Sequence, residues 1–227
     1  MTGPGAGQDR DRAAAAAADL SGRRRFVRAG EEARRAALIE ATLELIAEGG
    51  PAAATVRAIA ARAGVTPGLI RHYFNTKEEL VAAAHETLMT AMTEASEAVL
   101  ETLPDDPTAR LAGFVAGAVT APVVDPRAMA QWAAAMQCVP RDPVMRRVHE
   151  ITYLGFRDRL EALIAAALAQ HGRPVAQARS LAIAGNALLD GLWIEAAALP
   201  DHFTEDELKS LTIKAFSRLL EIRLEES

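Results

Sequence analysis

The stretch from Thr55 to Leu80, TVRAIAARAGVTPGLIRHYFNTKEEL, limits what this chain can fold into more than any other. Thr55 is of the type that caps a helix N-terminus, and Val56, Ile59, Ala60 and Ala63 then recur at helical spacing. Gly64 supplies the residue that ends helices in a left-handed conformation. Thr66 caps again, and Pro67 stands at a first helical position, where its missing N–H is not needed. Helix, tight turn and helix form the helix-turn-helix, whose second member can enter a DNA major groove.

The surrounding pattern predicts an all-α chain of about nine helices. Leu38, Ile39, Ala41, Leu43, Leu45 and Ile46 give a first helix, Glu31 to Glu48, a broad apolar face to pack over the two reader helices. Thr76-Lys77-Glu78-Glu79 has the spacing of a capping box and opens a helix that continues to about Leu100. Asp106–Pro107, Asp125–Pro126 and Asp142–Pro143 each place a capping acid before a proline suited to the first turn, so three more helices start there. A helix from Val175 to Leu199 is apolar around most of its circumference and needs cover on most sides. Thr204-Glu205-Asp206-Glu207 is a second capping box before the last helix. The expected organisation is a basic-ended disordered tail (1–28), a three-helix DNA-binding unit (29–80) and a helical body (81–227).

Charge separates along the same lines. The chain carries a net −5, yet Arg23 to Leu80 holds ten Lys/Arg against seven Asp/Glu, whereas Val81 to Ser227 holds thirteen against twenty. A basic reader on an acidic body suits a nucleic-acid partner. The cluster RRRFVR, with Arg25 and Arg28, is placed to lie along phosphates or in a minor groove; a solvated charge run is the plainer reading. One cysteine, Cys138, forms no intramolecular disulfide, and metal-type Cys/His spacings are missing. His149, His171 and His202 read as surface or cap residues. No membrane span and no export segment is expected, and the single cysteine suits a reducing cytoplasm. Without nucleophile, dinucleotide or zinc-hydrolase motifs, no catalytic residue, cofactor or metal is expected, and an enzyme is disfavoured.

With GVTPG and HYFNTKEEL in place, the stretch resembles the DNA-binding domain of the TetR family of bacterial transcriptional regulators. The matching elements are Thr66, Gly68, the pair Tyr73–Phe74 and Lys77. The HYF triplet, LLDGLW from Leu188 to Trp193, and Trp132 are similar to the BetI-like repressors, which respond to choline. The resemblance implies a homodimeric repressor on a near-palindromic double-stranded operator, released by a small molecule, and assigns effector binding and dimerisation to the helical body (81–227). The operator contacts expected are Thr55, Arg57, Thr66, Pro67, Gly68, Arg71, His72, Tyr73 and Lys77, with Phe74 in the core; Arg71 stands where many family members have tyrosine.

The body supplies candidate effector residues: Trp132, Met136, Tyr153, Phe156, Asn186, Asp190 and Trp193. Asn186, Asp190 and Trp193 share one helix face, and aromatic faces beside a carboxylate suit a quaternary ammonium. Two plainer readings stand beside this: both tryptophans as core, and Asp190 paired with an arginine at an interface. The last two helices are expected to form a two-fold interface. An effector-independent architectural or cell-division DNA-binding protein is the alternative use of the same fold.

Overall fold

A computed structural model describes residues 30–199 and 201–225, and among these there is no strand. The expected arginine contacts Arg25 and Arg28 lie outside the described residues. The head comprises α1 (residues 30–49), α2 (Val56–Arg62) and α3 (Pro67–Tyr73). The body follows as α4 (Lys77–Ala98), α5 (Pro107–Gly117), α6 (Pro126–Cys138), α7 (Pro143–Gln170), α8 (Ala178–Ala198) and α9 (Glu205–Leu220).

Local chemistry accounts for the starts. Asp106 accepts from the amide of Ala109, Asp125 from Arg127 and Ala128, and Asp142 from Val144 and Met145. Each acid therefore satisfies donors that the first turn leaves unpaired, and the following proline needs none. Thr204 and Glu207 form a complete capping box. At Thr76 only half of one exists: the threonine accepts from the Glu79 amide, but the Glu79 carboxylate accepts from the amide of Asn75, one residue before the cap. α8 starts later than its apolar pattern indicates, because the chain enters it through a 3-10 turn, Val175–Gln177, and Gln177 offers no side-chain cap.

The head core is made by Leu38, Leu45, Ile59, Ile70, Phe74 and Leu80, all buried. Leu80 and Ala84 carry that core into α4, so the expected division at residue 80 falls within the first turn of an unbroken helix. In the body, α7 is the central rod, packed by α4, α5 and α8, while α6 lies on α8 and α4. α9 closes against α5 and α8. There Gly185 lets Phe216 approach closely: a Cβ at that glycine would stand 2.7 Å from the ring.

One expectation is not met within a single chain. α8 is not covered on most sides, since only 33% of its most apolar window is buried. Ile183 and Ile194 on α8 and Leu211 on α9 are each about half exposed (46%, 56% and 51%).

Candidate functional site

Two groups of residues carry chemistry, one at the tip of the head and one inside the body. At the tip, Thr55 caps α2 by accepting from the Ala58 amide at 3.2 Å, and Thr66 has the extended backbone of an N-cap with no cap hydrogen bond to its side chain. The Thr66 hydroxyl thus stands exposed at the mouth of α3 beside Pro67 and Gly68. Arg71 and His72 are exposed in the last turn, and Tyr73 is half-buried with its ring edge-on to His72 at 5.1 Å. Phe74 turns inward as expected, and the Arg35 guanidinium lies 5.1 Å from its ring centre.

The cations of the head divide into two kinds. Arg62 is held by Glu44 at 2.9 Å and Glu48 at 2.7 Å, and its hydrogen bonds with these acids bind α2 to α1. Arg57, Arg71 and Lys77 have no ion-pair partner among the described residues. Lys77 is half-buried in the first turn of α4, where exposed amide N–H groups and an ammonium can share one phosphate.

Inside the body, residues from three helices converge. Trp132 of α6 meets Trp193 of α8 edge-on at 5.5 Å, and Phe156 of α7 lies 6.1 Å from Trp193. The Tyr153 hydroxyl donates to Asp190 at 2.6 Å, and the Asn186 amide donates to the same oxygen at 3.4 Å. Met136, one turn beyond Trp132, is half-buried against the core. Asp190 has no arginine or lysine partner among the described residues. Burial pushes its carboxyl above the ordinary range, with the Tyr153 hydrogen bond pulling the other way. Burial, reinforced by the carboxylate, raises Tyr153 to about 12, so its proton stays on the phenol.

The two indoles are held differently. Trp193 donates its N–H to the Ala118 carbonyl at 2.8 Å, while the Trp132 N–H, Asn186 Oδ1 and Asp190 Oδ1 have no partner among the described residues. Buried donors and acceptors left unpaired are expensive in an apolar interior, and such groups are found where ligands or water bind.

The sequence reading missed a histidine pair beside this cluster. His85, buried on α4, lies 3.2 Å (Nε2 to Nδ1) from His149 of α7, whose ring in turn lies 4.9 Å from Tyr153. His149 is therefore half-buried and bonded, contrary to its assignment to the surface. The available signal was position: His85 stands one turn after Val81 and three residues before Leu88 on the apolar stripe of α4. His171, by contrast, does cap α7. Burial, and secondarily the neighbouring His149, holds His85 down at about 4. An unfolded imidazole titrates near about 6.5. Acid therefore favours the unfolded chain, and stability present above that value is lost as pH falls toward the folded one. A melting temperature that drops between pH 7 and 5, and drops less in His85→Gln, is the expected outcome in calorimetry.

Comparison with known proteins matches two parts of the chain. Residues 38–84 match the bacterial regulatory proteins of the tetR family, and residues 107–221 match the C-terminal part of the BetI-type transcriptional repressors. The HTH-type transcriptional regulator BetI of Serratia proteamaculans is 34% identical over 180 residues, covering 79% of this chain and 88% of that protein. BetI of Pseudomonas fluorescens is 34% identical over 175 residues, covering 77% and 86%. Among solved structures, a transcriptional regulator from Pseudomonas aeruginosa PAO1 superposes with a TM-score of 0.77 at 32% identity, over 84% of this chain and 91% of that one. A regulator from Saccharomonospora viridis, solved in complex with choline, shares the fold with a TM-score of 0.71 at 22% identity, over 83% and 96%.

Proposed function

The chain belongs to the TetR family of bacterial transcriptional regulators, with a BetI-type C-terminal half, and from that premise we propose which parts of it meet DNA, partner and effector. It is a DNA-binding regulator of transcription, a repressor by family, and not an enzyme. Members of this family are dimers that bind operators and respond to small molecules in the bacterial cytoplasm.

In our reading the domain boundary lies near residue 80, in the first turn of α4, and the chain sits on the nucleoid when DNA-bound. α3 enters the major groove, with Thr66, Gly68, Arg71 and Tyr73 toward bases and phosphates. Thr55, Arg57 and Lys77 take the flanking phosphates. Support comes from the same three cations that lack internal partners, since charges bound within the protein cannot release counterions from DNA. The two-fold partner packs on α8 and α9, where Ile183, Ile194 and Leu211 are exposed. Two copies of that pair make a four-helix bundle and set two recognition helices about 34–36 Å apart. Ile194→Glu is expected to give monomers in sedimentation and to lose tight operator binding; a stable dimer with that variant would place the interface elsewhere.

The effector is a small quaternary ammonium of the choline type. The observation that carries this is the Asp190 carboxylate, which is held by Tyr153 and Asn186, lies on α8 three residues before Trp193, whose ring meets Trp132 and Phe156, and forms no ion pair among the described residues. A ligand cation over an aromatic face contributes about 0.5–2 kcal/mol, more when desolvated, and a carboxylate adds to it. An effector-independent architectural role gives no account of that carboxylate. Titrating choline against tryptophan fluorescence tests the reading. A saturable change is expected in wild type and a much weaker one in Asp190→Asn; no change in wild type at millimolar choline contradicts it.

A further inference from the structure

Any cation entering the aromatic group has to displace something, because Trp132, Trp193 and Asn186 are each at most 2% exposed. The two walls differ in how firmly they are tied. Trp193 is anchored to the Ala118 carbonyl, whereas the Trp132 N–H has no partner among the described residues. The wall that gives way is therefore α6, a 13-residue helix started by Asp125 and Pro126.

α6 also binds the head, alongside α4, which carries the head core into the body. Gln131, adjacent to Trp132 and only 6% exposed, donates from Nε2 to the Leu43 carbonyl of α1 at 2.8 Å. Consecutive residues project about 100° apart around a helix, so one residue faces the effector group and the next faces the head. One turn earlier, Arg127 lies 3.4 Å from Glu44 and 3.5 Å from Glu40 of α1. Glu44 is shared with Arg62 of the reader helix α2, so a single carboxylate joins α6, α1 and α2.

We propose that Gln131 and Arg127 are positioning residues for operator release: through them a shift of α6 at Trp132 reorients α1 and the reader packed on it. The proposal rests on the effector site described above. Exposed ion pairs contribute little to stability, and the Arg127 pairs act here by orientation. The Gln131 bond is the stronger of the two links, since it is buried and its carbonyl is fixed within a helix.

The test separates affinity from coupling. Operator affinity is measured with and without saturating choline in wild type, Gln131→Glu and Arg127→Ala, with choline affinity followed by tryptophan fluorescence and folding by thermal melting. Gln131→Glu keeps the shape and, measured at a pH where the new carboxyl is ionised, replaces the donor with an acceptor. Choline affinity within about twofold of wild type is expected, while the factor by which choline weakens operator binding falls about fivefold, as loss of one buried hydrogen bond implies. An unchanged factor overturns the proposal. If wild type gives no choline signal, the effector reading fails, and the coupling is read without ligand. Trp132→Phe is then expected to alter amide exchange across residues 38–46 in the wild-type background and not in the Gln131→Glu, Arg127→Ala background. Equal changes in both backgrounds overturn it.

Discussion

Asp190→Asn is expected to raise the dissociation constant for choline by on the order of thirtyfold or more while leaving effector-free operator affinity unchanged. The estimate follows from two unit charges at about 5 Å in an effective dielectric near 20, which attract by about 3 kcal/mol before the cost of desolvation. Asparagine keeps the size of the side chain and can still accept from the Tyr153 hydroxyl, so the aromatic group stays assembled. Removing the uncompensated carboxylate also relieves a burial cost, and the variant should melt no lower than wild type. Isothermal titration with choline, paired with an anisotropy measurement on operator DNA, reads both halves. A parallel loss of DNA binding would mean that Asp190 holds the fold and not the ligand.

Lys77→Ala and Tyr73→Phe together are expected to weaken operator binding about tenfold to a hundredfold, by similar factors for specific and non-specific sequences. Loss of the Lys77 charge removes about one unit from the slope of affinity against salt, whereas Tyr73→Phe changes no charge and leaves the slope as it was. Lys77 is the sharper probe because its charge sits at the start of α4, where the helix dipole favours the same phosphate. Arg62→Ala provides the internal contrast: its guanidinium is already held by Glu44 and Glu48, so it should leave the salt slope nearly unchanged. Equal slopes for Lys77→Ala and wild type would remove Lys77 from the interface.

Signals that depend on neighbours in sequence were legible. Each of the three Asp–Pro pairs starts a helix, because cap and proline act within one turn. Asn186, Asp190 and Trp193 share a face of α8 because their spacing is helical, and Phe74 is buried because the reader helices leave it no other side. Contacts made across the fold were not legible in the same way. Gln131 bonds a carbonyl 88 positions away, and nothing in AMAQWAAAM separates that glutamine from a solvated one. His85 and His149 are 64 positions apart, and only the packing of α4 on α7 joins them. The tryptophans are core residues by burial, as the plainer reading held, and Trp193 also shares its helix face with the Asp190 carboxylate. Burial alone therefore could not decide their role. The apolar pattern of α8 called for cover on most sides, and a single chain leaves most of its apolar window unburied, because apolarity around a helix does not say which elements pack on it.

The proposed function predicts one coupled event, the release of a dimer from its operator by a cation. A quantitative footprint on the DNA upstream of the chain's own gene, repeated over a series of choline concentrations, measures it directly. The expected result is a protected near-palindrome whose halves are one helical turn apart, with protection fading as choline saturates. Protection that is asymmetric, or that choline leaves unchanged at concentrations where tryptophan fluorescence shows it bound, would contradict the account.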